Sequence, residues 1–326
     1  MQPSSLDILR CHKALADETR LRLARVLCLH EMNVGELVTM FGMGQSRISR
    51  HLKILSEAGL IDCRREGQWT LCRAVDAQSR PQARAFLDGT FALLAPQAAP
   101  YAADAERAQA VLSERVLATR RFFDSVADSW GHLHAEVLGG YDLYGDIARR
   151  VPEGATVADL GCGPGELMER LVPRACLVIG VDNAEGMLEL AQARFRGTES
   201  EGRISLRHGE LTQLPLREGE AQAVVLSMVL HHLPDPVAAL AEARRVLAPG
   251  GVLLVADFDR HDNEAMRQKY GDTRLGVDRQ TLVSWLGQAG FIPASIQAHP
   301  VNQGLTVLLA EAARAERGAT KTHWRI

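Results

Sequence analysis

The stretch Val157-Ala158-Asp159-Leu160-Gly161-Cys162-Gly163-Pro164-Gly165-Glu166-Leu167 decides the fold of the rear part of this 326-residue chain. The apolar, β-branched approach from Thr156 to Leu160 reads as a buried strand, and Glu166 opens a helix. Three glycines at alternate positions fill the turn between them. Without Cβ atoms, Gly161, Gly163 and Gly165 permit a sharp bend and let a ligand lie against bare amides. Dinucleotide-binding folds hold pyrophosphate on a related turn. Two details point elsewhere. Asp159 stands just before the glycines, where a carboxylate repels pyrophosphate and pairs with an ammonium. Position 166 is Glu, so the GxGxxG spacing is not met.

Strands and helices alternate from Thr156 onward, the pattern of a parallel α/β sheet. A second strand ends Val178-Ile179-Gly180-Val181-Asp182, which sets an acid about twenty positions past the loop, placed to accept both hydroxyls of a ribose. Ile204 to His208 is a third strand, followed by Gly209-Glu210-Leu211. A fourth, Ala223 to Met228, runs into Val229-Leu230-His231-His232-Leu233-Pro234-Asp235-Pro236. Val252 to Phe258 is a fifth, and two more lie near Ala294 to Ala298 and Leu305 to Ala310.

Together these residues resemble motif I and the following motifs of class I S-adenosylmethionine (SAM) methyltransferases, whose cofactor carries an ammonium and no phosphate. The resemblance implies a Rossmann-like α/β domain with a seven-stranded sheet, the final pair antiparallel. It implies a cofactor set of Asp159, Gly161, Cys162, Gly163, Gly165, Asp182, Asn183, Met187, Glu210, Leu211, Ser227, Met228 and His231. Glu210 stands where Asp usually takes the adenine amino group. Ala221 and Gln222 stand where relatives read Phe-Asp, so a neutral amide replaces an acid expected near the transferred methyl, and no catalytic residue is assigned. Phe122, Phe123 and Trp130 fit a cover over the cofactor or ordinary core equally well. Histidines at 231 and 232 invite a metal or general-base role. Neighbours on a turn are expected to point apart, so no metal is expected.

Ahead of this lies a different pattern. Leu6 to Leu29 is helical, broken near Ala16-Asp17-Glu18-Thr19 with Asp17 as N-cap. Val34 to Met40 is a short helix, Gly42 and Gly44 frame a turn, and Gln45 to Ala58 follows, its apolar face formed by Ile48, Leu52 and Leu55. The outward residues of that helix, Gln45, Ser46, Arg47, Ser49, Arg50 and Lys53, suit base edges and phosphates; a solvated helix face shows the same types. Leu60 to Arg73 reads as a β-hairpin around Glu66-Gly67-Gln68, with Arg64 and Arg65 placed for flanking DNA. Lys13-Ala14-Leu15-Ala16-Asp17-Glu18-Thr19-Arg20, Ser49-Arg50-His51-Leu52-Lys53-Ile54-Leu55 and Glu57-Ala58-Gly59-Leu60 resemble the arsenic-repressor-type (ArsR/SmtB) winged-helix family over nearly the whole front domain. That family implies an α+β winged helix-turn-helix, a homodimer through the first and last helices, and an inverted-repeat operator in double-stranded DNA. Its metal-sensing members carry a cysteine pair in the short helix. Here the run is Glu36-Leu37-Val38-Thr39-Met40-Phe41, which argues against a metal sensor.

Charge divides in the same way. Up to Ala95 there are 13 Lys and Arg against 10 Asp and Glu, and 24 against 30 afterwards, within a net charge of −3. Six scattered cysteines without CxxC point to a reducing cytoplasm and no disulfide framework, with Cys11, Cys28, Cys63 and Cys72 expected as buried small hydrophobes. No apolar run is long enough to span a bilayer. The expected organisation is a winged domain over 1–95, a helical linker over 96–120 with Pro96 and Pro100 as breaks, a cofactor domain over 121–312 and a flexible tail over 313–326. Within it, His261-Asp262-Asn263-Glu264, Arg267 and Arg274-Leu275-Gly276 form a polar insert suited to capping cofactor, binding substrate or meeting the front domain.

Three functions suit such a chain. It can be a regulator that senses SAM or its demethylated product, S-adenosylhomocysteine (SAH). It can be a working methyltransferase, on a small molecule or protein, that regulates its own operon. A DNA methyltransferase lacks support, since neither an Asp/Asn-Pro-Pro-aromatic tetrad nor a Pro-Cys nucleophile is present. The fused architecture resembles SAH-responsive regulators of methionine and methyl-cycle genes, so the first is the expectation.

Overall fold

The computed structural model describes residues 7–77, 79–95, 99–126 and 130–314, with backbone alone at 130, 132–134 and 268. It divides into two units, Met1–Val116 and Leu117–Ile326.

In the first unit, α1 (Ile8–Leu15) and α2 (Glu18–Leu29) meet at Asp17, whose side chain accepts from Arg20 N at 3.0 Å and caps α2 as expected. The two-residue strand β1 (Met32–Asn33) leads into α3 (Val34–Phe41), whose N-terminus is closed by a reciprocal box between Asn33 and Glu36. Gly42 ends α3 at φ 61°, and α4 (Gln45–Glu57) follows, burying Ile48, Leu52 and Leu55. β2 (Ile61–Glu66) and β3 (Trp69–Ala74) form the wing around Gly67-Gln68. β1 pairs with β3 to make a third strand that the sequence pattern does not show, because two residues carry no periodicity.

Two further helices follow, α5 (Pro81–Ala92) and α6 (Tyr101–Val126), the second running through most of the stretch expected as a helical linker and beyond it. The stretch expected as a helical linker is helical from Tyr101, and its first part, up to Val116, belongs to the first unit. Asp104, 3% exposed, takes both arms of the Arg22 guanidinium at 2.7 Å. Arg115 forks onto Glu36 at 2.6 Å, and Ala108 is buried in the core of the front unit. Isolated charges on a helix look solvated in sequence because their partners, Arg22 and Glu36, lie far away along the chain. Residues 96–98, with Pro96, fall outside the described residues.

The cysteine expectation is also corrected. Cys63 and Cys72 face each other in the β2–β3 register and are joined by a disulfide. Nine residues apart across a hairpin, they escape a search for close spacings, and the inference from scattered cysteines to a reducing compartment loses its basis. Cys11 is a buried thiol, as expected, whereas Cys28 is half-buried; of the remaining thiols Cys162 is buried and Cys176 exposed.

The second unit begins with the end of α6, then α7 (Trp130–Leu138) and α8 (Leu143–Arg150). The sheet follows: β4 (Thr156–Leu160), α9 (Glu166–Leu171), β5 (Leu177–Asp182), α10 (Glu185–Phe195), β6 (Ile204–His208), β7 (Ala221–Ser227), α11 (Pro236–Val246), β8 (Leu247–Phe258), α12 (Ala265–Tyr270), α13 (Arg279–Gln288), β9 (Phe291–Pro300) and β10 (Thr306–Arg314). Seven strands run in the order β6-β5-β4-β7-β8-β10-β9. All neighbouring pairs from β6 to β8 are parallel, and β10 lies antiparallel to both β8 and β9. The central strands β4, β5, β7 and β8 carry mostly apolar, buried residues because both of their faces are covered, whereas the edge strand β6 is half-exposed and carries Arg207 and His208.

The expected tail from Ala313 starts too early. Ala312 and Ala313 pair with Leu253 and Val252 in β10, and the remaining tail, 315–326, lies outside the described residues. Asp104→Ala is expected to lower the stability of the front unit by about 3 kcal/mol, because it strands Arg22 beside the core. Urea unfolding checks this, and a loss below ~1 kcal/mol would reduce the pair to a surface contact.

Candidate functional site

The site of the second unit lies where β4, β5, β6 and β7 end. Gly161 N and Cys162 N both donate to Val181 O, at 2.7 and 3.1 Å, so the glycine turn is tied to the end of β5. All three glycines adopt positive φ (78°, 51° and 81°). A Cβ on Gly161 would lie 2.6 Å from Val229 Cγ2, and one on Gly165 would lie 2.9 Å from Phe195 Cε2. A Cβ on Gly163 would meet nothing within 4 Å; it would only fill open space over the turn. Gly161 and Gly165 are thus required by close packing, and Gly163 faces outward, where a ligand can approach its backbone.

Two carboxylates converge on this turn. Asp182 Oδ2 accepts from Gly163 N and its Oδ1 from Ala184 N, both at 2.9 Å. Burial still pushes Asp182 up from the usual carboxylate range, against these backbone bonds. Asp159 is 1% exposed, and its Oδ2 has no hydrogen-bond partner among the described residues. Burial, with Asp182 nearby, raises Asp159 to about 7. A buried carboxylate with an unfilled acceptor calls for a cation, which fits the ammonium of an amino-acid moiety.

The other expected contacts surround this pair. Asn183 Nδ2 donates to both oxygens of Glu210, at 3.2 and 3.1 Å, bridging the ends of β5 and β6. Cys162 is buried and its thiol raised well above its ordinary value, first by burial and then by Asp182 and Asp159, so it packs and does not ionise. Met187 is buried against Phe123 and Leu190, and Leu211 is buried nearby in the sheet core. Ser227 Oγ is buried with no hydrogen-bond partner among the described residues, and Met228 carries φ 58° at the end of β7. A non-glycine residue held there is strain of the kind stored at working sites. No pattern of residue types could reveal it.

Gln222 is a correction. It lies exposed at the start of β7 and accepts from Thr156 N at the start of β4, 2.7 Å away. That is the opposite end of the strands from the glycine turn, so it replaces no acid near a transferred methyl. Phe123 sits edge-on to His232, 4.8 Å between ring centroids, which puts it beside the site; the Trp130 side chain lies outside the described residues.

The histidines do not point apart. Their rings lie 3.9 Å apart, and both are buried. His231 Nδ1 lies 2.6 Å from Asp257 Oδ1, and Nε2 lies 3.4 Å from Asp272 Oδ1. Burial opposes a charge on His231, but the two carboxylates outweigh it and raise the ring to about 10, while burial drives His232 down to about 3. The polar insert supplies Asp272, a partner that sequence reading missed because forty residues separate it from the histidines along the chain.

In the first unit, Gln45, Ser46, Arg47, Ser49, Arg50 and Lys53 are all exposed on one side of α4, and Arg47 and Arg50 form no ion pair among the described residues. Lys53 faces Glu57 at 3.9 Å. Arg64 is not available as expected. It forks onto Glu31 and reaches Glu66 at 3.3 Å, so it braces the wing. Arg65 is exposed, as is Trp69 at the wing's turn, which sequence reading did not single out.

A family model described as methyltransferase domain matches residues 158–255, and one described as bacterial regulatory protein, arsR family, matches 17–62. A 2-phytyl-1,4-naphtoquinone methyltransferase from Trichormus variabilis is 30% identical over 178 residues, covering 49% of this chain and 78% of that protein. The chain belongs to the methyltransferase family. It carries an arsR-family regulatory domain in front. A probable SAM-dependent methyltransferase from Mycolicibacterium smegmatis is 36% identical over 118 residues, 36% of this chain and 43% of that protein, so the chain spans less than half of that relative. The crystal structure of the [4+2]-cyclase SpnF overlays with a TM-score of 0.52 at 17% identity, covering 60% of this chain and 94% of that one, a likeness of fold alone. The methyltransferase fold and these relatives imply an adenosyl ligand, SAM or SAH.

In the methyltransferase unit Asp159 is expected to make ligand binding depend on pH. Between 3.8 and about 7 the folded chain keeps a proton that the unfolded chain has lost, so ligand-free stability falls as pH rises through that window. An ammonium favours the charged form. SAH affinity is therefore expected to weaken about tenfold per unit as pH drops below 7, and Asp159→Asn to flatten this profile. Calorimetry between pH 5.5 and 8 checks both; an unchanged profile in the variant would remove Asp159 from the ammonium site.

Proposed function

We propose that this protein is a homodimeric transcriptional regulator whose methyltransferase unit binds SAH or SAM as an effector and so tunes its grip on an inverted-repeat operator. The observation that carries the reading is the presence in one chain of two ligand-ready surfaces. One is the exposed face of α4, where Arg47 and Arg50 stand without ion-pair partners among the described residues. The other is the glycine turn with the orphaned Asp159 carboxylate. Ile8, Leu9 and Leu93, exposed at 50%, 64% and 86%, are apolar side chains on α1 and at the end of α5 that a self-complementary interface would cover. The reading carries with it a cytoplasmic location and control of methionine or methyl-cycle genes.

The energetics are modest. A ligand that favours one dimer arrangement by ~1.4 to 2.8 kcal/mol changes operator affinity ten- to a hundredfold. SAM and SAH differ by one methyl group and the positive charge at sulfur, so neutral surroundings at the sulfur select SAH.

A second reading, an active methyltransferase that regulates its own operon, draws on the likeness to the naphthoquinone methyltransferase. Bound SAM would supply an electrophilic methyl group, and the chain's part would be mostly to hold an acceptor in line, since methyl transfer depends chiefly on proximity and orientation. The contacts on Asp182 and Asn183 orient the nucleoside in either case.

Operator gel shifts with SAM and SAH titrated separately, run beside a labelled-methyl turnover assay, separate the two. The regulator reading expects a ten- to hundredfold shift in operator affinity with SAH and no turnover. Asp182→Ala is expected to abolish the response, and an undiminished response would overturn the ribose assignment. Arg50→Ala should weaken specific binding by about 1 to 3 kcal/mol per half-site. An unaltered footprint would return α4 to a solvated face.

A further inference from the structure

The cluster formed by His231, His232, Asp257 and Asp272 is built beyond the needs of an adenosyl pocket. All four side chains are at least nine-tenths buried. Burying two carboxylates and two imidazoles is costly unless each is paired. Part of the set is satisfied: His231 bridges Asp257 and Asp272, and its backbone N–H donates to Asp257 Oδ2 at 3.2 Å. Part is not. His232 Nδ1 and Asp272 Oδ2 have no hydrogen-bond partner among the described residues. One ligand atom each from His231, His232 and Asp272 lie within 4.8 Å of one another.

We propose that His231, His232 and Asp272 bind one divalent first-row transition metal ion, of which zinc is the representative, with Asp257 as the positioning residue behind His231. The donor set decides the class. Two imidazole nitrogens and one carboxylate oxygen suit Zn²⁺, Fe²⁺ or Co²⁺, whereas calcium and magnesium prefer oxygen alone and copper(I) prefers sulfur. Charge agrees, because a divalent ion offsets the two buried carboxylates once both imidazoles are neutral. The surroundings agree too. A ligating histidine commonly donates its second ring N–H to a carboxylate, which is how Asp257 Oδ1 stands to His231 Nδ1. That contact leaves Nε2 to face the ion. His232 hydrogen-bonds the Gly271 backbone through its ring and keeps Nδ1 unengaged.

The segment that brings Asp272 is held independently of any ion. Thr273 Oγ1 and Arg274 N both donate to His231 O, at 2.6 and 3.0 Å. Gly271 turns at φ 73°, and a Cβ there would fall 2.4 Å from Phe122 Cδ1. Donors bound tetrahedrally at about 2.1 Å stand ~3.4 Å apart, so ligand atoms that lie within 4.8 Å of one another draw together on loading. Three protein ligands leave a coordination position for water or an exogenous oxygen or sulfur ligand. The ion would fasten the polar insert to the ends of β7 and β8.

This inference is independent of which adenosyl compound acts as effector. Full-length protein stripped with a chelator and dialysed is titrated with Zn²⁺ by calorimetry, and separately with Co²⁺ followed by visible absorption. One equivalent of Zn²⁺ per chain, a raised thermal midpoint and a Co²⁺ band characteristic of low coordination number are expected. Asp272→Asn and His232→Gln should each weaken Zn²⁺ binding at least tenfold, and Asp257→Asn by ten- to a hundredfold with the stoichiometry kept. Absence of stoichiometric Zn²⁺ binding and of the Co²⁺ band in the unmutated protein overturns the proposal and leaves a cluster filled by water. Equal binding in the unmutated chain and in both ligand variants also overturns it, since the ion then sits elsewhere. The spectrum of the unmutated protein decides the matter even where a variant fails to fold. SAH calorimetry on the same stripped sample reports the effector reading separately.

Discussion

The rear unit depends on one constraint: the turn after β4 must leave the sheet sharply enough to keep its amides open while two acids share the space beneath it. Tying Gly161 N and Cys162 N to Val181 O sets the turn's height over the sheet, and Gly163 N on Asp182 sets its tilt. Asp182 is thereby satisfied and can offer its remaining acceptor capacity to a ribose. Asp159, one strand over, is not satisfied, and the raised affinity for a proton is the cost of keeping it ready. In the proposed reading, a bound ammonium would resolve that tension.

The front unit solves a different problem, how to present cations on one helix face while remaining folded. Several of its other arginines are paired internally. Arg22 is held by Asp104, Arg64 by Glu31 and Glu66, and Arg115 by Glu36. What is left exposed on α4 is the set that no acid neutralises, apart from Lys53 beside Glu57. The modest excess of basic residues up to Ala95 therefore understates the local charge on offer, because much of the acidity is spent on structural arginines. The Cys63–Cys72 bond adds a covalent tie across the wing, beside the brace made by Arg64.

The polar insert before the last strands joins the site through Asp272 and through hydrogen bonds from 273 and 274 to His231 O. Of the three roles open to it in sequence, the geometry favours a part in the site itself. Strain at Met228, burial of both histidines and the aromatic edge of Phe123 all lie at the same end of β7.

The local code determined a good deal. Helical and strand periodicities, the Asp17 cap, the glycine turn and the spacing from Asp159 to Asp182 were all readable because each rests on residues close together along the chain. They sufficed for a winged front and a parallel α/β rear, for Asp182 and Glu210 at successive strand ends, and for the outward face of α4. Tertiary structure alone decided the rest, wherever the partner was distant. Arg64 turned from a DNA contact into a brace, and Gln222 moved to the far end of its strand. Asp104 made a supposed linker part of the first unit, and Cys63 found Cys72. His231 and His232 acquired two aspartates from other elements. A sequence records which groups a residue carries, but whether a charge is offered to a ligand or neutralised at home depends on what folding brings within about 4 Å of it.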